Sequence, residues 1–211
     1  MDLELEGKRA LVTGGSRGIG KAVARALARE GVAVALLARD RDRLAAAAAE
    51  LSAEFGRRVV AVVADTGSDA DVERAVAPQM QARGWGRIVN VSGLAARQSG
   101  NAIGSIRNVA VAALTKNLAD ELGPSGINVT VVHPGLTRTE RTAAMVAAQA
   151  DAQGVSEATI LQRMAEGNSI RHLVDASEVA DVVAFLCSPK SVAINGDAIA
   201  AGGGAPRAIH Y

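Results

Sequence analysis

Several kinds of residue are scarce in this chain of 211 residues. Aromatic side chains make up only 2% of it, so the core must be built from aliphatic residues. The single cysteine, Cys187, excludes an internal disulfide and suits a reducing compartment. The apolar runs have the length of strands, so no membrane span is predicted. No apolar segment precedes Lys8, so no signal peptide is predicted and we expect a cytoplasmic protein.

The chain also has almost equal numbers of positively and negatively charged residues. Lys and Arg number 23 against 22 for Asp and Glu, which gives a formal net charge of +1. This balance offers no electrostatic reason to expect nucleic acid or an anionic membrane as a partner. Apolar residues make up 49% of the chain and charged residues 21%, which is typical of a globular protein. The length and the lack of a linker predict a single domain over residues 1–211.

What is present is an alternation of short apolar runs with helical patterns. Runs rich in Val and Ala, such as "VAVALLA", predict strands that are covered on both faces. Alternating strands and helices predict an α/β fold with a doubly wound parallel sheet and helices on both faces. In the second half, residues 106–123 predict an amphipathic helix whose apolar face carries Ile106, Val109, Ala113, Leu114 and Leu118. We expect strands at 8–15, 32–38, 58–65, 86–92, 127–135 and 196–204.

The stretch "TGGSRGIG", Thr13 to Gly20, carries the strongest chemical signal. It follows a strand and opens a helix, and its glycines let the backbone approach a pyrophosphate while the first helical amides face the anion. The overlapping "GSRGIGKA" has the GxxxxGK pattern of a triphosphate-binding loop. Ala22 stands where that loop needs Ser or Thr for magnesium, so the dinucleotide interpretation is favoured. No motif for a metal site is present in the sequence.

The end of the second strand, "LLARDRD", bears on the choice of cofactor. An acidic residue there would bind the ribose hydroxyls of NAD, but position 38 is Ala and Arg39 follows. Arg39, helped by Arg17 of the glycine loop, suits the 2′-phosphate of NADP. The alternative is that these arginines are solvated surface residues, in which case NAD would serve.

Taken together, these motifs resemble the short-chain dehydrogenase/reductase family. The resemblance rests on "TGGSRGIG", "AD" at 64–65, "GRIVNVSG" at 86–93, "AVAALTKNLADELGPSGINVTVVHPG" at 110–135 and "GDAIAAGGG" at 196–204. It implies a Rossmann fold, an NAD(P)-dependent oxidoreductase, and Ser92 as the group that polarises a substrate carbonyl. The implied cofactor-binding residues are Gly14, Ser16, Arg17, Gly18, Ile19, Gly20, Arg39, Asp65, Asn90, Pro134, Gly135, Thr137 and Thr139.

The chain departs from the family at the catalytic pair, a tyrosine followed four residues later by a lysine. Counting back from "ALTK", these positions are Gly104 and Asn108, and neither side chain exchanges a proton with an alcohol. Two interpretations stay open. One is an oxidoreductase for a small carbonyl or alcohol with a non-standard proton route. The other is an inactive relative that binds nucleotide as a sensor or a partner-binding subunit.

A second departure is the short interval between Asp65 and Ile88, which holds only 22 residues. A parallel crossover needs about a dozen residues or more, so this interval fits one helix and no further strand. The family has a strand and a long helix here, and the junction falls between Ala75 and Gln79. Either the chain is deleted at this point, or the sequence joins ordered residues and omits a disordered segment. The scarcity of voids in protein interiors favours the second explanation.

The resemblance also implies two larger features. Residues 138–174 occupy the place of the family's substrate lid, and their polar, alanine-rich character fits a mobile cover. Family members form dimers or tetramers through two long helices, so the resemblance implies a homo-oligomer. One of these helices is mostly missing here, which leaves the oligomeric state open. The substrate itself is not predicted.

Overall fold

The computed structural model describes residues 1–65, 69–98 and 101–204, without the side chains of residues 69–75. Strands and helices alternate along the chain, as the apolar runs predict. Three short 3-10 helices lie at Leu94–Arg97, Gly123–Ser125 and Pro189–Ser191. The main elements are β1 (Arg9–Thr13), α1 (Gly18–Arg29), β2 (Ala33–Ala38), α2 (Arg41–Phe55), β3 (Val60–Val63), α3 (Asp69–Arg83), β4 (Gly86–Val91), α4 (Ala102–Leu122), β5 (Ile127–Pro134), β6 (Thr137–Arg138), α5 (Thr142–Gln153), α6 (Glu157–Ala165), β7 (Val174–Asp175), α7 (Ala176–Cys187) and β8 (Ala198–Ala201).

The strands form parallel sheets, which confirms the α/β class. β1, β2 and β3 pair in one three-stranded sheet in the order β1-β2-β3. β4, β5 and β8 pair in another, in the order β4-β5-β8. β6 and β7 pair by themselves. Within the described residues no backbone hydrogen bond joins β1 to β4, so these strands form two separate three-stranded sheets.

Two apolar clusters hold the sheets to their helices. The larger one packs α1 and α7 together against one face, with Ala24, Leu27 and Val183 among its buried residues. The smaller one packs α4 against β4 and β5 through residues such as Ala119 and Val129. The core is almost wholly aliphatic, as the low aromatic content requires.

Only part of the predicted apolar face of α4 is covered. Leu118 packs against the smaller apolar cluster and Leu114 is half-buried, whereas Ile106 is 71% exposed and Val109 50% exposed. In the first turns the residues buried against the sheet are Gly104 and Asn108, followed by Thr115. Periodicity therefore predicted the helix, but not the burial of small and polar side chains in its first half.

α3 runs without interruption across the junction between Ala75 and Gln79. It contains Pro78, which removes one backbone N–H donor from a helix interior and is unusual there. The prediction of an omitted strand and helix at this junction stays a prediction.

Among the helices of the described residues, none has the length and hydropathy needed to cross a membrane.

Candidate functional site

The turn between β1 and α1 has a shape that only glycine permits at several positions. Gly14 has φ +66° and Gly18 φ +57°, in the left-handed region that other residues rarely adopt. A Cβ on Gly20 would lie 2.5 Å from the carbonyl oxygen of Gly14. The Gly14 N–H donates to the carbonyl of Leu37 at 2.8 Å, which ties the turn to β2. The backbone is therefore folded back tightly enough to bring the start of α1 to the carboxyl ends of the strands.

A carboxylate of the chain itself sits at the start of α1. The backbone N–H of Gly18 donates to Glu140 Oε2 at 3.0 Å. The Thr139 methyl group lies beside the same glycine, 3.8 Å from where a Cβ would be. The first amides of a helix carry partial positive charge and attract anions. This helix end therefore binds an anion, which in this structure is the Glu140 side chain.

The residues expected to bind the adenosine half of the cofactor lie near this turn in the chain. Arg17 is the residue before α1, Arg39 follows β2, and Asp65 follows β3, and all three are exposed. Because β1, β2 and β3 are parallel neighbours, these three residues share one edge of the sheet. Ser16 and Ile19 are half-buried within the turn and complete the predicted set there.

The residues expected at the nicotinamide end follow β5. Pro134 is the last residue of β5, and Gly135 packs so closely on Gly202 that a Cβ there would lie 2.9 Å from the Gly202 Cα. Thr137 donates its hydroxyl to the Gly135 carbonyl at 3.0 Å, and the Thr139 N–H donates to Thr142 at 2.9 Å. These hydrogen bonds hold Thr137 and Thr139 in place after the carboxyl end of β5.

β4 and β5 direct three polar side chains toward α4. Asn90 donates through its amide to the Thr115 hydroxyl at 3.0 Å. Ser92, two residues on, lies on the same face, and its N–H donates to the carbonyl of Val132 at 2.9 Å. This register places Ser92 opposite His133 on β5. Ser92 Oγ and His133 Nδ1 are both buried and lack a hydrogen-bond partner among the described residues.

His133 was not among the predicted site residues. It is 1% exposed, and burial together with the charge of Arg97 holds its pKa below the usual 6.5. The imidazole is therefore neutral near pH 7. The only sequence signal was a histidine at the carboxyl end of a parallel strand, immediately before Pro134.

Gly104 and Asn108 stand at the two positions where the sequence predicts the family's catalytic pair. Asn108 is buried, and its amide donates to the carbonyl of Gly93 at 3.2 Å. The Gly104 N–H donates to Asn101 Oδ1 at 2.9 Å, at the start of α4. A Cβ on Gly104 would lie 2.7 Å from Asn101 Nδ2. The Asn101 amide thus fills the space that a larger side chain at position 104 would need.

Two other groups of charged side chains are accounted for by ion pairs and hydrogen bonds within the protein. Lys21 of the rejected triphosphate motif pairs with Glu50 at 2.6 Å and is 17% exposed. His172, Asp175 and Glu178 bring potential metal-ligating atoms within 4.8 Å of one another. Glu178, however, accepts from the Asp175 N–H at the start of α7, and Asp175 accepts two bonds from Arg138. The hydrogen bond from the Asp175 N–H lowers the pKa of Glu178 most. A second hydrogen bond, between Glu178 and the His172 ring, lowers it further.

A parallel sheet whose first strand turns through glycines into a helix defines a nucleotide-binding α/β protein. A family model described as short chain dehydrogenase matches residues 8–78, and one described as Enoyl-(Acyl carrier protein) reductase matches residues 74–205. The chain therefore belongs to the short-chain dehydrogenase/reductase family, which is a family of oxidoreductases.

Individual relatives agree with this assignment. The chain is 30% identical to Dehydrogenase/reductase SDR family member 4 of Oryctolagus cuniculus, over 96% of this chain and 95% of that protein. It is 29% identical to Short-chain reductase protein NovJ of Streptomyces niveus, over 93% of each. Among solved structures, L-sorbose reductase from Gluconobacter frateurii, complexed with NADPH and L-sorbose, is 26% identical with a TM-score of 0.91, over 99% of this chain and 100% of that one.

The alignment with the Oryctolagus cuniculus protein is also informative about the short interval between Asp65 and Ile88. The alignment extends over 256 positions, although this chain has 211 residues. That relative therefore carries residues with no counterpart here. The two family models meet at residues 74–78, within α3 and close to Pro78.

Proposed function

We propose that this chain is an NADP(H)-dependent oxidoreductase that acts on a small carbonyl or alcohol through a non-standard active site. The turn from β1 into α1 carries the proposal. Its shape excludes a side chain at Gly20, and the Gly18 N–H already holds a carboxylate, so these residues fit a pyrophosphate. The bound nicotinamide cofactor would supply or accept the hydride.

The preference for NADP rests on Arg17 and Arg39. Both are exposed at the edge where the adenosine would lie, and position 38 carries no acidic side chain that would favour NAD. The related L-sorbose reductase was solved with NADPH. Arg39→Glu should weaken NADPH binding about tenfold or more and change NADH binding less, measured by cofactor fluorescence. Arg41→Glu, an exposed arginine two residues away, is the control.

The proton route that the chain offers runs through Ser92 and His133. During alcohol oxidation Ser92 Oγ would accept the hydroxyl proton of the substrate as its own proton passes to the neutral His133 imidazole opposite it, and the imidazolium would then release that proton to water. A water between the two atoms would satisfy both of them. Ser92→Ala and His133→Gln should each lower kcat more than they change cofactor affinity. Turnover that survives Ser92→Ala unchanged would remove this route.

The alternative is an inactive member of the family that binds nucleotide as a sensor or partner-binding subunit. The Asn101 amide in the space beside Gly104 favours it, since this space is where the family's proton donor stands. Under this alternative the protein binds NADPH but turns over nothing in a broad panel of carbonyls and alcohols. The double variant Gly104→Tyr with Asn108→Lys, made also on an Asn101→Ala background, should then create turnover.

A further inference from the structure

The split between β1 and β4 encloses a cavity of about 600 Å³, here called the β1–β4 slot. Residues 9–13 line one side of it and residues 87–91 line the other, so each wall is a run of five consecutive strand residues. A strand of five residues is about 17 Å long, so the walls extend over most of β1 and β4. The slot is the space between two strand edges.

The two edges point in the same direction, and neither has a partner strand within the part of the chain that the structure describes. Lys8, just before β1, lies 4.2 Å from the ring centre of Trp85, just before β4, so the amino ends of the strands meet. In a parallel ladder, alternate residues direct their N–H and C=O groups to opposite sides. Because β1 pairs only with β2 and β4 only with β5 within the described residues, half of those groups on each strand face the slot.

The faces above and below the slot are apolar. Val23 and Leu27 of α1, with Val183 of α7, cover one face, and Met80 of α3 with Val111 of α4 covers the other. Cys187 also lines the slot, and burial raises the pKa of its thiol to about 12, so that it stays neutral. A strand with apolar side chains on both faces suits this environment.

We propose that the 211-residue chain binds an extended peptide strand from a partner polypeptide in the β1–β4 slot, parallel to β1 and β4. The peptide would carry about five apolar residues preceded by acidic ones. Its backbone would pair with both edges at once and join the two sheets into one.

The unpaired backbone groups of the two strand edges favour a peptide over an acyl chain as the ligand of the slot. A fatty acid would fill the apolar volume but would leave the backbone N–H and C=O groups of both walls unpaired, which is costly in a buried site. A peptide strand satisfies them on both sides. Addition of a strand to an exposed edge is an established mode of peptide recognition, and here the strand would have two edges.

The charge around the slot sets the direction and chemistry of the peptide. Lys8, Arg9, Arg83 and Arg87 line its amino end, and the described residues that line the slot include no Asp or Glu. A parallel strand would place its first residues there, so acidic residues should precede its apolar segment. At the other end the slot reaches Gly14 and Gly20 of the glycine turn, so the peptide would pack beside the proposed cofactor site.

Fluorescence anisotropy with the full chain and a fluorescein-labelled peptide, Glu-Asp-Val-Val-Ile-Val-Val-Gly, tests the proposal without cofactor or turnover. We expect saturable binding and increased protection of amides in 9–13 and 87–91 against hydrogen exchange. The same peptide N-methylated at two valines keeps its side chains but loses two backbone donors. It should bind about 30-fold more weakly, since each net backbone bond is worth about 1 kcal/mol.

Two matched pairs of surface variants locate the site. Val91→Trp fills the slot from a residue that is 45% exposed, and Val63→Trp places the same side chain at the edge strand β3 on a residue that is 44% exposed. Only the first should abolish peptide binding. Arg9→Glu combined with Arg83→Glu should weaken binding of the acidic peptide about three- to tenfold. The exposed Arg58→Glu is the control for charge.

Three results would overturn the proposal. One is the absence of saturable binding by the wild-type chain. Another is equal binding of the N-methylated peptide together with displacement by palmitate, which would assign the slot to an acyl chain. The third is a natural protein whose intact mass exceeds that of the 211 residues, and in which a strand of the additional segment occupies the slot and is protected from hydrogen exchange. The outcome is independent of the proposed oxidoreductase activity, since no step of the test uses NADPH.

Discussion

At the scale of single residues, the site is defined by where side chains are absent and by what fills the space. Gly20 leaves room for the backbone of Gly14, and Gly18 presents an N–H that Glu140 accepts. Gly104 leaves room that Asn101 takes. The first absence lets the start of α1 hold an anion, whereas the second stands where the family resemblance implies a proton donor. Glycine therefore supports the proposed cofactor site at one place and the proposed non-standard active site at the other.

Glu140 should compete with the cofactor for the start of α1. Glu140→Gln removes a negative charge from the place that a pyrophosphate would occupy, so we expect NADPH to bind about three- to tenfold more tightly. The measurement is a fluorescence titration of NADPH. Glu166→Gln, an exposed residue at the end of α6, should leave the affinity unchanged. An unchanged affinity in Glu140→Gln would place the pyrophosphate elsewhere.

His133 should make stability depend on pH below about 6.5. Its pKa is lowered in the folded state, so in this range the unfolded chain binds a proton that the folded chain does not. The free energy of unfolding should therefore fall as the pH drops, by at most about 1.4 kcal/mol per pH unit. Urea unfolding between pH 7.5 and 5.5 measures this effect. His133→Gln should lose that part of the slope, and equal slopes would contradict the prediction.

At the scale of elements, α3 and α4 are where this chain differs most from expectation. α3 is continuous and contains Pro78 in its interior, and α4 presents Ile103 and Ile106 to solvent. Both helices flank the split in the sheet through Met80 and Val111, which line the slot. α3 and α4 therefore both border the same face of the slot.

Pro78 should destabilise α3 if the helix is continuous in solution. Pro78→Ala restores a backbone donor, so we expect the free energy of unfolding to rise by about 1–3 kcal/mol. Thermal or urea unfolding measures the change. Pro124→Ala, at the start of a 3-10 helix where proline is well tolerated, should have little effect. A Pro78→Ala variant that is no more stable would indicate that α3 does not run through residue 78.

At the scale of the whole molecule, the two three-stranded sheets share the larger apolar cluster, in which α1 packs on α7 and residues of both sheets, such as Val12 and Val132, are buried. The glycine turn belongs to one sheet, while Asn90, Ser92 and His133 belong to the other. The proposed cofactor site therefore spans the split. Any strand that closes the split would also fix the two halves of that site relative to each other.

The exposed apolar face of α4 supports the expected homo-oligomer. Ile103, Ile106 and Val109 are 82%, 71% and 50% exposed, which is unusual for three neighbouring apolar residues on one helix. Ile106→Lys should shift a dimer toward monomer, measured by light scattering coupled to size exclusion. Ile170→Lys, at another exposed isoleucine, should leave the mass unchanged. A wild-type chain that is already monomeric would contradict the expectation.

The fold and the family are predictable from the sequence because their signals are local. Apolar runs of strand length and the spacing in "TGGSRGIG" predict elements over a few residues, and β1, α1 and β2 lie where they were expected. The exposure of Ile106 and Val109 was not predicted, because burial depends on which neighbour covers a helix. The site residues on β4 and β5 were predicted through the family resemblance, and His133 was left out because a histidine at a strand end more often serves packing.

Residue type and short-range spacing are enough to predict the parallel α/β architecture, the glycine turn and the presence of Gly104 and Asn108 at the positions expected for the family's catalytic pair. The contact of Glu140 with Gly18, across 122 positions of the chain, is visible only in the folded molecule. The same is true of the open slot between the edges of β1 and β4. No local pattern predicts these two features, because each depends on how elements that are distant in the chain pack together.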